Sequence, residues 1–463
     1  MASPTPTALI VDGAGARASG AWLVLLAMLP LLVPSATTAQ DGGWPTLSDA
    51  GLEYISRSGF FQVSLSGQLD IETFHVRNSW AGLVTHEGGE APLPDDQVRC
   101  LECHTGMGAR GAGGELAAHR LRVFADLFLG DHVYSLVEAR SDRGHAPSDR
   151  EAVARIEQAY VRVQNERGSV ALQVGRFASP FGAYPQRHLT VGDPFLQPPL
   201  AYDYKTVMNR TLVPRDAGLL LAWKDAPDII RKPGTPPVWD VPYQWGAMAL
   251  GRVGPFDVRV AAMNSAPSSG PEAWRFDGER LRDPSWVAAV RTAPSASLDV
   301  GVSYARGPWM EEIVGGTIQD PGTPAGAEPR SYRDFDQELF SADFTFALGA
   351  MMLRGEAILD RWAVPNLEAR PTELAYSLEL QWDLAAGLSV AARTGYIDFR
   401  PLDDGTGTGS SADWDHDVFR YEASLGYRIV SNVGVLLSAF EQIQREGIDG
   451  DTLLIGLRLW WAF

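Results

Sequence analysis

The sequence predicts an all-β fold, a transmembrane antiparallel β-barrel of about sixteen strands. Three observations support this prediction. Segments of about ten residues alternate between apolar and polar side chains, which is typical of strands with two different faces. Short turns and long polar loops follow one another between these segments. An apolar segment near the N-terminus indicates export from the cytoplasm.

Residues 1–39 have the features of a signal peptide. Arg17 supplies a positive charge, an apolar run extends from Ala21 to Val33, and Thr37 and Ala39 are the small residues expected at a cleavage site. The apolar run is short for a membrane-spanning helix, although an uncleaved membrane anchor is the alternative. We expect this segment to be removed and the mature chain to reside in the bacterial outer membrane.

The chain is acidic, with a formal net charge of -18. Loss of residues 1–39 leaves this charge unchanged, because Asp12 and Arg17 cancel. Binding to a phosphate backbone needs basic patches, so the charge argues against nucleic acid as a partner. The negative charge also makes it less favourable to interpret the chain as an anion-selective channel. No later run approaches the roughly 18 apolar residues of a spanning helix, so any further membrane crossing must use strands.

The predicted barrel covers residues 59–463 and follows an irregular lead-in at residues 40–58. Its first strand, Phe61–Ile71, alternates apolar with polar residues throughout. A Gly-rich polar segment at residues 78–119 then interrupts the pattern and is too short to bury a core of its own. Further strands are predicted at Arg120–Leu129, His132–Arg140, Ile156–Gln164 and Val170–Arg176.

A long Pro-rich connection at residues 177–243 separates the two halves of the strand pattern. Connections of this length within a compact domain are usually functional. We expect this one to fold into the lumen of the barrel. Ala217–Trp223 within it is strand-like, and the sequence leaves open whether this segment joins the sheet.

The second half of the chain repeats the pattern of alternating strands, short turns and long loops more regularly. In Glu373–Leu384 the even-numbered residues are apolar at nearly every position and face lipid, whereas the polar residues face a wet lumen. The chain ends on an alternating strand with a terminal Phe463. The predicted strands are Gln244–Val253, Asp257–Asn264, Trp286–Thr292, Ser297–Ala305, Gln337–Leu348, Met351–Trp362, Glu373–Leu384, Leu388–Phe399, Val418–Ile429, Val433–Gln444 and Thr452–Phe463.

The only two cysteines of the chain, Cys100 and Cys103, are followed directly by His104. This C-x-x-C-H spacing is the attachment signature of a c-type haem, in which two thioethers hold the porphyrin and the adjacent imidazole binds the iron. We expect one covalent haem c with His104 as proximal ligand. A disulfide between the two cysteines is the alternative, since an exported protein meets an oxidising compartment.

An electron-transfer haem usually has a second axial ligand. The candidates near the motif are His75, His86, Met107 and His119, of which His119, at the end of the polar segment, is the first choice and His86 the second. Methionine is also an axial ligand of such haems, but Met107 lies only three residues after His104 and reaches the opposite face with difficulty. A solvated loop histidine is the alternative for each.

Two stretches resemble porins of the phosphate-selective type: Arg155–Val163 (RIEQAYVRV) and Val174–Gly182 (VGRFASPFG). In that family such a stretch precedes the long constricting loop. With the haem motif added, the chain resembles the fused monohaem cytochrome–porins of the outer membrane. That resemblance implies electron passage across the membrane, including oxidation of extracellular ferrous iron. One departure is that Phe61–Ile71 precedes the haem motif, which the family places ahead of its barrel.

Two functions follow from these observations. The first is electron transfer by a haem within the barrel or at its outer mouth. Its partners would be outer-membrane lipid, a periplasmic cytochrome or other redox partner, and an extracellular electron donor or acceptor such as iron. The second is a diffusion channel for small solutes, with the cysteines as a loop disulfide. We predict no catalytic residues, since no nucleophile–base set or phosphate-binding loop is evident.

Overall fold

The computed structural model describes residues 52–77, 114–143, 154–189, 191–225, 234–319, 330–405, 409–445 and 452–463. The predicted signal peptide at residues 1–39 lies outside the described residues. So do His86, Cys100, Cys103 and His104, which belong to the predicted haem site.

The described residues form nineteen strands and one α-helix, α1. Their bounds are β1 Leu52–Ile55, β2 Phe61–Arg77, β3 Gly114–Leu129, β4 Val133–Arg143, β5 Ala154–Gln164, β6 Val170–Ala178, α1 Ala217–Trp223, β7 Tyr243–Val253, β8 Phe256–Met263, β9 Ser285–Ser295, β10 Leu298–Pro308, β11 Asp336–Leu348, β12 Met351–Trp362, β13 Thr372–Ala385, β14 Leu388–Phe399, β15 Pro401–Asp403, β16 Ser411–Asp413, β17 Val418–Val430, β18 Val433–Gln444 and β19 Thr452–Ala462.

Sixteen of these strands close into an antiparallel barrel. Each strand from β2 to β14 pairs with the next, β14 pairs with β17, and β19 pairs back with β2, so that Trp460 lies opposite Asp70. β15 and β16 form a separate two-stranded ribbon in the connection after β14. The predicted all-β barrel of about sixteen strands is confirmed. Among the described strands, closure leaves no open sheet edge in the bilayer, where an unpaired backbone group would cost several kcal/mol.

The C-terminal residue completes the seam between β19 and β2. The Gly67 amide donates to the Phe463 carbonyl at 2.7 Å, and the Phe463 amide donates to the Gly67 carbonyl at 2.9 Å. The Phe463 ring covers Gly67 so closely that an added Cβ would lie 2.3 Å from it. Glycine at position 67 therefore makes room for the terminal ring.

The N-terminal lead-in is not wholly irregular, contrary to the prediction for residues 40–58. β1 pairs with the first residues of β2, with Leu52 opposite Leu65 and Ile55 opposite Gln62. β19 reaches β2 only as far as Gln68, so the start of β2 would otherwise present an unpaired edge. β1 supplies the missing hydrogen bonds there.

Two other segments differ from the sequence-based prediction. β3 begins at Gly114 rather than Arg120, so the last residues of the predicted insertion at 78–119 belong to the barrel. Ala217–Trp223, which was strand-like in pattern, is α1. Its first turn is capped by Asp216, whose side chain accepts from the Leu219 amide at 2.8 Å. This cap and the run of alanine and leucine favour a helix over a strand.

The two faces of the barrel wall differ in chemistry. Exposed apolar side chains cover the outer face, among them Leu172, Val302, Leu378 and Leu459. The alternate positions point inward and carry most of the buried charged groups, such as Glu379 and Arg458. This arrangement places lipid outside and polar groups inside, as in outer-membrane barrels. In the described ranges, no helix is long and apolar enough to cross a membrane.

The two ends of the barrel also differ. At one end adjacent strands are joined by turns of a few residues, as at Gly130, Gly254 and Gly349, which all have positive φ. At the other end the connections are long, including the one between β6 and β7. In outer-membrane barrels short turns are periplasmic and long loops extracellular. The segment between β2 and β3, which contains the C-x-x-C-H motif, therefore joins two strands at the long-loop end.

Candidate functional site: the luminal constriction

The connection between β6 and β7, residues 179–242, lies against the inner wall of the barrel. We call it the luminal connection. Its side chains and main chain contact inward-facing groups of β10, β12, β13, β14, β17 and β19. The connection therefore lies along a large part of the inner wall.

Gly182 allows the connection to turn inward directly after β6. Its φ is +73°, and an added Cβ would lie 2.1 Å from the Tyr202 Oη. The Gly182 amide donates to Ser303 Oγ at 3.0 Å, and the next amide, of Ala183, donates to Glu356 Oε1 at 2.9 Å. Tyr202 Oη donates to the same Glu356 oxygen at 2.7 Å. A side chain at position 182 would collide with Tyr202 and Glu356, so the P-F-G stretch requires glycine there.

Four consecutive carbonyl groups of the connection accept hydrogen bonds from inward-facing arginines. Arg458 donates to the carbonyls of residues 195 and 196 at 3.2 and 3.3 Å. Arg393 donates to those of residues 197 and 198 at 2.5 and 3.2 Å. Arg420 also donates to the Pro198 carbonyl, at 3.3 Å. A proline-rich extended segment cannot satisfy its own carbonyl groups, so the barrel wall supplies the donors.

Buried ion pairs hold these arginines in place. Arg393 pairs with Glu422 at 2.8 Å, and Arg420 pairs with Asp203 of the connection at 2.5 Å. Arg458 pairs with Glu72 across the closing seam. These side chains are almost completely buried, and unpaired charges in such positions would be strongly destabilising. The inward arginines therefore link the connection to the barrel wall.

An apolar cluster fills the space between the connection and the long-loop end of the wall. It is formed by large side chains of both, among them Tyr202, Trp239, Trp309, Trp362 and Trp414, each at most 2 % exposed. The Trp309 and Trp362 rings meet edge to face with centroids 4.9 Å apart. A polar lumen would not retain such a cluster unless the connection covered it, so the connection is part of the folded core.

The wall opposite the connection is basic. Arg120, Arg122 and Arg140 point inward from β3 and β4, where Arg120 pairs with Asp70 at 3.1 Å and Arg122 lies 3.7 Å from Glu138. Arg120 and Arg122 line a cavity whose other side is the connection. The residues around this constriction cavity are Arg120, Arg122, Tyr184, His188, Asp193, Leu196, Gln197, Pro198, Asp240, Val241, Tyr243 and Arg458.

His188 in the constriction cavity is held as the neutral imidazole. Its Nδ1 lies 2.6 Å from the Pro185 carbonyl, which can only accept, so Nδ1 carries the proton. Its Nε2 then accepts from the Tyr243 hydroxyl at 2.6 Å. Burial, and next the positive charge of Arg122, lower the pKa of His188 from 6.5 to about 3. The imidazole therefore adds no charge to the cavity at neutral pH.

The predicted site residues and this cavity do not coincide. Cys100, Cys103, His104 and His86 lie outside the described residues. His119 lies on β3 opposite Ile71 of β2, with an exposed side chain on the outer face of the wall. A haem held inside the lumen therefore cannot use His119 as its distal ligand. The sequence locates the connection, and the alternation of the strands places Arg393, Arg420 and Arg458 on inward faces beside luminal carboxylates, but it does not show that these arginines bind the connection.

Comparisons with known proteins bear on the fold. No family model and no curated protein matches the chain. Solved structures do match. An anion-selective porin from Comamonas acidovorans has a TM-score of 0.52 at 10% identity, covering 87% of this chain and 100% of that one. The outer-membrane channel DcaP of Acinetobacter baumannii has a TM-score of 0.50 at 12% identity, covering 89% and 99%.

In vitro folded OmpT, an outer-membrane protein of Vibrio cholerae, is similar to the same extent, with a TM-score of 0.50 at 11% identity over 88% of this chain and 99% of that one. Identities this low speak for the fold alone. Together with the closed strand ring, the apolar exterior and the polar interior, they show the fold of the molecule. It is a sixteen-stranded antiparallel β-barrel with the porin fold.

Proposed function

We propose that the protein is a diffusion channel for small solutes, narrowed by the luminal connection. The observation that carries this proposal is the binding of four successive carbonyl groups, residues 195–198, by Arg393, Arg420 and Arg458 of the wall. These bonds fix the connection at a set distance from the basic wall opposite. A constriction of defined width admits solutes by size and charge.

The charges around the constriction cavity favour polar solutes. Arg120 and Arg122 lie on the wall, and Asp193 and Asp240 lie on the connection facing the same space. Opposite charges on two sides of a narrow aqueous passage orient a dipolar solute and raise the local concentration of ions. The net charge of the whole chain does not describe this passage, because many luminal carboxylates are already paired with arginine.

A liposome-swelling assay tests the proposal. Proteoliposomes made with the purified protein are diluted into isotonic solutions of neutral solutes of increasing size, from glycerol to trisaccharides. We expect rapid swelling with the smallest solutes and a steep decrease as size increases. Swelling with none of them, under conditions in which heat-modifiable migration shows a folded barrel, would overturn the proposal.

A second function is favoured by one specific observation, the Cys100-Leu101-Glu102-Cys103-His104 motif. We propose that this segment carries one covalent haem c, held by Cys100 and Cys103 with His104 as the proximal iron ligand. Two thiols and an imidazole at this spacing are the donors that such a haem requires. The bound group would supply one-electron chemistry at the long-loop end, where β2 ends and β3 begins.

The haem proposal implies partners on both sides of the membrane. A single haem cannot span a hydrocarbon layer roughly 30 Å thick. A periplasmic redox protein and an extracellular donor or acceptor, such as iron, would complete the route. His86 is the remaining candidate for the distal ligand if the haem lies inside the barrel, since His119 faces outward.

A pyridine haemochrome spectrum separates the two functions. The protein is produced together with the haem-attachment machinery, then purified and denatured. We expect about one covalent haem per chain, lost in the Cys100→Ala/Cys103→Ala variant. Absence of covalent haem would refute the haem proposal and leave the diffusion channel intact, with the two cysteines free to form a disulfide.

A further inference from the structure

A row of aromatic side chains extends diagonally along the inner wall, from the short-turn end of the barrel toward the constriction cavity. Phe128, Tyr134, Tyr160 and Phe177 belong to four successive strands, β3 to β6, with ring centroids 5.0, 6.0 and 6.2 Å apart. The strand register produces this row. Phe128 lies opposite Tyr134, whereas Tyr160 lies opposite Leu136, one inward position further from the turn. Each step around the barrel after Tyr134 thus also moves toward the constriction.

Three of these rings, those of Phe128, Tyr134 and Tyr160, line an open chamber inside the barrel. Phe128 leaves 37% of its surface exposed there. Phe128, Tyr134 and Tyr160 border one cavity, and Arg162 and Arg259 border a second cavity that adjoins it. Both cavities are lined by Arg162 and Gln164. We call the two together the vestibule, and it opens at the short-turn end.

Arg162 connects the aromatic row to the basic part of the vestibule. Its guanidinium carbon lies 5.8 Å from the ring centroids of both Tyr134 and Tyr160. Its Nε and Nη2 donate to Gln173 Oε1 at 3.0 and 2.7 Å. Nη1 makes no hydrogen bond within the described part of the chain. The guanidinium is therefore oriented by one amide and two rings while donors remain for a ligand.

Arg162 and Arg259 differ from the other inward arginines in their pairing. Arg393, Arg420 and Arg458 each contact a carboxylate. Neither Arg162 nor Arg259 forms an ion pair with a carboxylate of the described residues. Two carboxylates border the vestibule: Asp257 pairs with Arg252 at 2.9 Å, and Asp131 lies at the turn between β3 and β4. Two positive charges in the same chamber thus remain available to an anion.

We propose that the vestibule binds small aromatic carboxylates on their way through the channel. The carboxylate would pair with Arg162 and Arg259, and the flat ring of the solute would lie against Tyr134 and Tyr160. An inorganic anion would use only the arginines, and a neutral sugar would use only the rings. The side-by-side arrangement of both favours a solute that has both parts. This inference rests on the proposed diffusion channel and names its solute class.

Isothermal titration of the purified full-length protein in detergent micelles measures this binding directly. The probes are phthalate and benzoate, with inorganic phosphate and glucose for comparison. We expect phthalate to bind more tightly than phosphate or glucose. Arg162→Gln and Tyr160→Leu should each weaken phthalate binding by about tenfold, the effect of one charge-assisted hydrogen bond or one aromatic contact.

Matched controls use the same residue types on the outer face. Arg306→Gln and Tyr376→Leu replace exposed outward side chains, and neither should alter phthalate binding. Heat-modifiable migration on gels shows whether each variant is folded. If Tyr160→Leu fails to fold, Tyr134→Leu takes its place, since both rings contact Arg162.

Three outcomes overturn the inference. Equal binding of phosphate and phthalate, insensitive to loss of the tyrosine, would show a simple anion site. Binding of glucose that is insensitive to loss of Arg162 would show a sugar site. Absence of phthalate binding to folded protein would show no site. Phthalate binding by a protein that supports no liposome swelling would retain the vestibule site and overturn the channel, so the two failures are distinguishable.

Discussion

The two sides of the inner wall use the same residue types for different purposes. From β10 to β19 the inward arginines pair with acids and also donate to the luminal connection, as Arg393 does to residues 197 and 198. From β3 to β6 the inward arginines also pair with acids, as Arg120 does with Asp70, but Arg120 and Arg122 border the constriction cavity, and a row of aromatic rings lies nearer the short-turn end. The first side supports the connection, and the second borders the open part of the lumen, where the proposed channel would bring solutes into contact with it. The same alternation along the strands thus produces one side that holds the connection and one side that borders the open lumen.

The largest effect is expected from breaking the supporting side. Arg393→Met leaves Glu422 buried without its partner and removes the donors to two carbonyl groups of the connection. Removing one partner of a buried ion pair costs about 3–5 kcal/mol. We expect the midpoint of urea unfolding, followed by tryptophan fluorescence, to fall sharply.

Two further variants control for this result. Arg393→Met/Glu422→Met should recover much of the loss, because no unpaired charge remains. Arg306→Met removes an exposed arginine paired with Asp336 and should cost less than about 1 kcal/mol. No loss in Arg393→Met would contradict the supporting role of the inward arginines, and a large loss in Arg306→Met would show that removal of an exposed arginine destabilises the barrel as well.

A smaller effect is expected at the point where the connection turns inward. Gly182→Val introduces a side chain at positive φ and a collision with Tyr202 and Glu356. The backbone strain alone costs about 1–2 kcal/mol. We expect the connection to detach from the inner wall. Trypsin should then cleave within residues 179–242 faster than in wild type, in intact proteoliposomes.

The matched control is Gly168→Val in the turn between β5 and β6. Gly168 has φ +62° and no atom near an added Cβ, so it shares the strain without the collision. Equal protection of the connection in Gly168→Val and Gly182→Val would show that the P-F-G glycine does not hold the connection in place.

On the side that borders the open lumen, Arg122→Gln should change ion selectivity and should also lower stability, because it leaves the buried Glu138 without the guanidinium 3.7 Å away. The substitution removes a positive charge that faces Asp193 and Asp240 across the constriction cavity. A unit charge about 4 Å away contributes about 1 kcal/mol in water, which is roughly a fivefold change in ion permeability. The reversal potential in a KCl gradient should shift toward cation selectivity. An unchanged potential would place the constriction elsewhere in the lumen.

The smallest expected effect concerns pH. The pKa of His188 is lowered to about 3, so its imidazole stays neutral from pH 8 to pH 5. Over that interval the reversal potentials of wild type and His188→Asn should follow parallel curves. An inflection near pH 6.5 in wild type that is absent from His188→Asn would show that the imidazole titrates freely in the open lumen.

Sequence patterns predicted the barrel well because a strand between lipid and water must alternate. Met351–Trp362 and Leu388–Phe399 match the predicted bounds at both ends. The pattern could not reveal β1, because a four-residue strand carries little periodic signal. It also gave α1 as strand-like, because capping by Asp216 and local propensity decided that segment.

The site was harder to predict because it joins residues far apart in sequence. Arg393 and Gln197 are 196 residues apart, and a single sequence does not show which inward arginine meets which carbonyl. The row from Phe128 to Phe177 likewise depends on strand register, which sets the diagonal neighbours. The C-x-x-C-H motif is the opposite case. It is evident in the sequence, and its haem stays a prediction that chemistry must test.

Single-channel conductance in planar bilayers tests the central claim most directly, with wild type and Gly182→Val recorded in the same salt. A channel narrowed by the luminal connection predicts a small, stable conductance for wild type and a larger, noisier one for the variant, whose connection has lost its anchor. Absence of conductance in wild type, or identical conductance in the two proteins, would contradict the claim that the connection sets the width of an open channel.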